Sequence, residues 1–347
     1  MGSIDADHVT SPTTRDGPHR TTPPSTQQAS NVFVRAIRGI DRFQQRHDPA
    51  AFVFGVIKKF GDDRGGQLSA LVAFYGFLSF FPLTLIVVTI TSYIARSSPA
   101  FAEQLRNSAL SQFPVVGAQL AGDEGALPGS GLGLVVGTVG LLWGALGVTD
   151  AVQYAFYELW HVPHKRRPPF LLRILRSVIL FGLLAAGVLG TTFLALLGTF
   201  VTDSRIAGAF GIIGGALVSV GLYLTLFWLL SPRHLPLRDL LPGALMAGVG
   251  WQVLQVVGVR LVQHQLRRSS ELYGAIGVGL GLISFLVVGS QVMLYAAELT
   301  IVRQHRLWPR SLVQPPLTDA DRRVLSMKAM QEERRPEERV TVDFGEG

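Results

Sequence analysis

The chain has 347 residues, 48% hydrophobic and only 16% charged, with a mean hydropathy of +0.35. A soluble domain carries about 25% charged residues, so the composition excludes an ordinary soluble enzyme and points to a polytopic membrane protein. The absence of cysteine excludes disulfides, zinc–thiolate sites, Fe–S clusters and a cysteine nucleophile. The net charge of +7 is read as basic residues flanking membrane spans on the cytoplasmic side, because no aromatic-plus-basic segment of a nucleic-acid binder accompanies it.

Residues 1–30 are polar, rich in Ser, Thr and Pro, and read as a disordered tail with no apolar core for a cleavable signal peptide. Residues 31–64 read as an amphipathic juxtamembrane segment. Phe33, Ile37, Ile40 and Phe43 fall on one helical face, and AAFVFGVIKKF follows the Asp48-Pro49 break. This segment either lies in the lipid boundary or packs on the cytoplasmic ends of the spans.

Residues 65–95 contain no charge and exceed the roughly 20 apolar residues that cross a bilayer. Pro82 interrupts them, frees the carbonyl of Leu78, and is expected to kink the span and act as a hinge, with Ser79 and Tyr75 as nearby hydroxyl donors. Residues 96–130 form the longest loop, with a short interfacial helix expected around Phe101, Leu105, Ala109 and Phe113.

Further spans are expected at about 131–154, 177–202, 206–231, 240–259 and 272–297, after a first at 67–95. Ser231-Pro232, Pro236 and Pro242 rule out a continuous helix from the fourth into the fifth. Lys and Arg flank these spans about fourteen to six in favour of one side. The expectation is an all-α membrane domain over residues 65–302, with six transmembrane helices and both termini cytoplasmic. Residues 303–347 read as a charged, mobile tail with one short helix near 319–333.

Gly133, Gly137, Gly140, Gly144 and Gly147 line one stripe of the second span, and Gly208, Gly211 and Gly215 repeat the device in the fourth. Small residues let helices approach closely in a membrane, so these read as packing positions. Ionisable and polar residues in the spans are costly and tend to be functional. Asp150, Gln153, Gln255, Arg260, Gln291 and Glu298 are therefore candidates to line a translocation path. The plainer alternative for Glu158 and Glu298 is interfacial ion pairing beside Lys165, Arg166 and Arg167, a basic run suited to anionic headgroups. His161 and His164 have a metal-like spacing but no third ligand nearby. No metal, cofactor or nucleic acid is expected. Membrane lipids are the expected partners, with a homo-oligomer left open.

Four stretches resemble the YihY/virulence factor BrkB family. YGFLSFFPLTL is similar to that family's first-span signature, and Leu142-Trp143-Gly144 with Gln153 to its second span. LPGALMAGVGWQV is similar to its fifth span, and LYGAIGVGLGLISF with the AAEL at 296–299 to its sixth. The resemblance covers residues 62–302 and implies a six-helix bacterial inner-membrane protein. Members have carried the label ribonuclease BN, but the HxHxDH motif of such a metal-dependent nuclease is missing here. Association of some relatives with export of envelope lipid precursors implies a transporter or flippase of a lipid or amphiphile. The alternative is a non-transporting scaffold for envelope proteins, discriminated by whether the bundle has a polar crevice or a dry core.

Overall fold

The computed structural model describes residues 41, 47–95, 131–198, 204–232, 235–266, 274–312, 314 and 317–344. Among these residues every regular element is helical. Helix α1 (Asp48–Asp62) begins with Pro49, whose missing N–H costs nothing in a first turn. Six long helices follow: α2 (Gly65–Ala95), α3 (Gly131–Leu159), α4 (Phe170–Gly198), α5 (Ser204–Leu230), α6 (Leu237–Leu266) and α7 (Gly274–His305). A short α8 (Asp319–Gln331) completes the described chain. The interfacial helix expected around residues 101–113 and the N-terminal tail lie outside the described residues.

The long helices close into a ring. Each of α2 to α7 packs on the next, and α7 returns to α2. Within the described residues, Ile213–Leu230, Leu237–Gly258 and Gly279–His305 are long and apolar enough to cross a membrane. Their outward faces carry exposed Ile213, Leu217, Val249, Val253, Val256, Leu280 and Val288, as lipid rather than water requires.

Among the described side chains, the buried core lies at one end of the ring. It joins Leu68 and Val72 of α2, Ala155, Phe156 and Leu159 of α3, and Leu180 of α4. From the other side come Leu226, Phe227 and Leu230 of α5, Leu240 of α6 and Leu294, Ile301 and Val302 of α7. These are alternately the starts and ends of helices, as expected of antiparallel neighbours. Helix α1 lies across this end on α7, with Phe60 stacked on Tyr295 at 3.8 Å and 14°. Such a pair contributes about 0.5–1.5 kcal/mol beyond area burial. Of the two placements open for α1, packing on the spans is the one seen: Ala51, Gly55, Val56, Lys59 and Phe60 are buried, while Val53 and Ile57 face outward.

Several boundaries differ from the sequence expectation. Helix α3 runs past Tyr154 to Leu159, and α7 runs past Ala297 to His305, because both project beyond the apolar belt into the capped end. Both stop the same way. His161 (φ 47) and Arg306 (φ 50) turn left-handed, and the next amides bond back five residues, Val162 to Tyr157 at 2.9 Å and Leu307 to Val302 at 3.0 Å. The break between α5 and α6 falls at residues 231–236, but Pro242 sits inside α6 rather than ending anything. Helix α2 continues through Pro82. The Ser79 hydroxyl donates to the Gly76 carbonyl (2.9 Å), not to that of Leu78. The surroundings of Pro82 lie outside the described side chains.

Close helix contacts occur where glycines allow them. A Cβ at Gly144 would come within 2.8 Å of the Ser79 Cα, so α3 and α2 meet backbone to backbone there. One at Gly147 would press 2.5 Å from the Tyr75 ring, and one at Gly215 would sit 3.2 Å from Gln252 Nε2. Sequence reading missed Gly248, where an added Cβ would lie 2.9 Å from the Val220 nitrogen across α6 and α5. The surroundings of Gly133, Gly137, Gly208 and Gly211 lie outside the described side chains, and Gly140 is half-buried.

Candidate functional site

Three charge clusters occupy the capped end and the α2–α3–α4 flank. The first sits in a pocket of about 180 Å³ lined by Leu71 and Tyr75 of α2, Asp150, Tyr154 and Tyr157 of α3, and Arg167 and Arg173. Pro168-Pro169 stops the chain after the 3₁₀ turn His164–Arg166 and starts α4, which swings Arg173 back over α3. Arg173 Nε lies 2.7 Å from Asp150 Oδ1, and both side chains remain nearly half exposed. Arg167 stands 5.7 Å from the Tyr154 and Tyr157 ring centres and pairs with Glu158 at 2.8 Å. Arg176 donates to the Tyr157 hydroxyl at 3.2 Å. The pocket thus combines two guanidinium groups, one carboxylate and three phenol rings with the apolar Leu71, and on α4 Leu172 and Leu175 face outward.

The second cluster is sealed. Lys59 is wholly buried, and its ammonium contacts Asp63 Oδ2 (2.5 Å), the Leu159 carbonyl (2.8 Å) and Glu298 Oε2 (2.9 Å). The Glu298 contact has the distance of an ion pair without the directionality of a hydrogen bond. The left-handed turn after α3 aims His161 into the same space, with Nε2 at 3.4 Å from Asp63 Oδ1. Its Nδ1 donates to Gln331 Oε1 (2.8 Å), whose amide nitrogen donates to Glu158 (2.7 Å). Burial works to lower the affinity of Lys59 for its proton, but the Glu298 and Asp63 carboxylates outweigh it and the net shift is upward. Burial and then the Lys59 charge hold His161 below its ordinary value, so it is neutral near pH 7.

The third cluster pins α8. Asp321 closes a capping box with Thr318, and its carboxylate also takes Arg310 Nε (2.9 Å), the Ser311 amide (3.0 Å) and Lys58 (3.1 Å). Arg310 reaches Asp62 at 2.8 Å. Burial works to raise the Asp321 carboxyl, but the Ser311, Thr318, Arg310 and Lys58 donors together hold it well below the usual carboxylate range. The tail expected to be mobile therefore carries a docked helix. His164 Nδ1 donates to the Gln331 carbonyl (2.9 Å), and Lys165 pairs with Glu333 (2.7 Å).

The structure disperses the residues expected to share one path. Asp150 faces the pocket, whereas Gln153 is buried behind it and donates to Ser177 Oγ (2.9 Å). Arg260 is exposed and Gln255 and Gln291 are half-buried on α6 and α7. Glu298 lies in the sealed cluster, paired with Lys59 rather than with the run at 165–167. Asp150 and Glu158 take different partners, Arg173 and Arg167. Lys165 and Arg167 are engaged by carboxylates, and Arg166 is exposed. His161 and His164 both converge on Gln331, and no group of three metal-type ligands occurs among the described residues.

Sequence reading missed Lys59, Asp63, Arg310, Asp321 and Gln331. The one available signal was helical phase. Lys59 falls with Ala51, Gly55 and Val56 on the apolar face of α1, where a solvated lysine does not belong.

Comparison with known proteins agrees with this architecture. The chain is 23% identical over 289 residues to inner membrane protein YhjD of Escherichia coli (strain K12), covering 77% of this chain and 85% of that protein. It is 24% identical over 265 residues to an uncharacterized protein of Dickeya dadantii (strain 3937), covering 69% and 79%. No solved structure matches. The virulence factor BrkB family profile matches residues 56–319, which takes in α2 to α7, the end of α1 and the start of α8. The chain belongs to the virulence factor BrkB family.

Proposed function

We propose that this protein is a six-span bacterial inner-membrane protein with cytoplasmic termini that binds and moves an amphiphilic envelope molecule. The observation that carries the reading is the pocket between α2, α3 and α4, which sets a partly exposed, exchangeable ion pair among apolar and aromatic side chains, Leu71 and the three tyrosines. A headgroup with an anionic centre displaces Asp150 from Arg173, while its chains lie against Leu172 and Leu175. Because both charges already meet water, the exchange avoids the penalty of stranding a buried ion. Support for the membrane setting comes from the three apolar spans, the inner-membrane relative and the six helices of 27 to 32 residues.

The test is reconstitution into liposomes with a fluorescent anionic lipid in one leaflet. Protein-dependent transfer is expected, and Arg173→Gln should slow it at least several-fold. Transfer no faster than in empty liposomes, or equal in the variant, overturns the reading.

A second reading, a scaffold that assembles envelope proteins, is favoured by the core beneath α8, which is dry and sealed on its described side. Co-purification of stoichiometric envelope partners together with absent lipid transfer would select it.

A further inference from the structure

The sealed cluster has an imbalance that its geometry resolves in one way. Five elements meet there: α1 supplies Lys59, the α1–α2 turn Asp63, α7 Glu298, the turn after α3 His161, and α8 Gln331 with Lys328 behind it. Lys58 and Asp62 belong to the neighbouring Asp321–Arg310 group, and Glu158 is held by Arg167 and Gln331. Two ionised carboxylates against one ammonium and a neutral imidazole leave a net charge of minus one, wholly buried. A buried charge without a counter-charge is among the costliest arrangements in a protein. Both carboxyl groups converge on the one buried ammonium, Asp63 Oδ2 at 2.5 Å and Glu298 Oε2 at 2.9 Å, which crowds two like charges into one sealed space. Neither Glu298 oxygen has a hydrogen-bond donor among the described residues.

We propose that Asp63 and Glu298 form a one-proton carboxyl pair, held against Lys59 and closed off by the C-terminal helix. The bound proton sits between the two carboxyl groups, and the cluster is then neutral: one ammonium, one negative charge shared by the pair, and an uncharged His161. Its titration belongs to the pair rather than to either residue. Losing the proton leaves an uncompensated negative charge. Gaining a second, on His161, leaves an uncompensated positive one. The site is therefore a proton-binding site at the cytoplasmic floor, and it stands whether or not the protein moves lipid.

Infrared difference spectroscopy on the full chain in nanodiscs tests it. Wild-type protein should show the carbonyl stretch of a protonated carboxyl at neutral pH, lost on alkaline titration. Glu298→Gln and Asp63→Asn should each abolish it, since either amide makes the cluster neutral without a proton. His161→Gln should leave it in place. No such band in the wild type, or a band that persists in both amide variants, overturns the proposal. Loss of the band in His161→Gln would show that the carboxyl proton depends on the imidazole rather than on the pair, and would overturn it as well. If the amide variants fail to fold, the wild type still decides: its Tm should fall as pH rises from about 7 to about 9, and a flat profile is the overturning result. No lipid substrate enters these measurements, so their failure and that of the transport proposal are separate.

Discussion

Asp150–Arg173 and Lys59–Glu298 are both ion pairs between different helices, with nearly equal lengths of 2.7 and 2.9 Å. Their surroundings make them different objects. Asp150 and Arg173 are nearly half exposed at a pocket, whereas Lys59 and Glu298 have no exposure at all. Water can replace either partner of the first pair, so it contributes at most about 1 kcal/mol to stability and is free to exchange partners. Nothing can replace a partner of the second, so it holds the fold and any proton it carries. Distance alone does not separate a site that can open from one that stays shut; burial does.

The largest effect that would break this comparison is Lys59→Met. It strands two carboxylates in the core and should cost about 3–5 kcal/mol, read by denaturation in detergent. Asp150→Asn should change stability by less than about 1 kcal/mol while impairing lipid transfer. Equal losses from the two would erase the distinction. Next comes Gly144→Leu, which drives a side chain into the Ser79 backbone and should cost about 1–3 kcal/mol by separating α2 from α3.

Acid should sharpen the contrast through His161. Its folded value is depressed below the ordinary 6.5, so below that pH the unfolded chain binds more protons. The contribution of His161 is therefore fully present above about pH 6.5 and is lost as pH falls through the folded value, and His161→Gln should flatten that acid-side decline in a Tm–pH series. The smallest effect is Arg306→Gly. Arg306 is exposed, and its left-handed backbone costs an L-residue roughly 1–2 kcal/mol, so Tm should rise slightly.

The membrane class, the long helices and the break near Pro232 were legible because apolar runs and prolines act locally. Gly144 was legible as a packing position for the same reason. The charge clusters were not. Lys58 and Lys59 are neighbours in sequence, yet one reaches Asp321 and the other Glu298, because a helix turns adjacent side chains about 100° apart. Arg173 carried no mark that distinguished it from Arg176, and only the Pro168-Pro169 bend brings it over Asp150. The tail read as charged and mobile with one short helix near 319–333, and that helix is present, started by the local capping box of Thr318 and Asp321; its docking on the bundle was not legible.

The meeting of α1 with α7 and α8 has a consequence for biosynthesis. Lys59 leaves the ribosome about 240 residues before Glu298, an interval of roughly 10 to 50 s at ordinary elongation rates. Through that time the ammonium has no distant carboxylate to meet, and the capped end of the ring cannot close. Completion of the bundle is tied to segments made after its other long helices, the end of α7 and α8. A chain stopped before residue 319 keeps all its long helices but forfeits the latch of Asp321 and Gln331, and should reach cells as an inserted, protease-sensitive product.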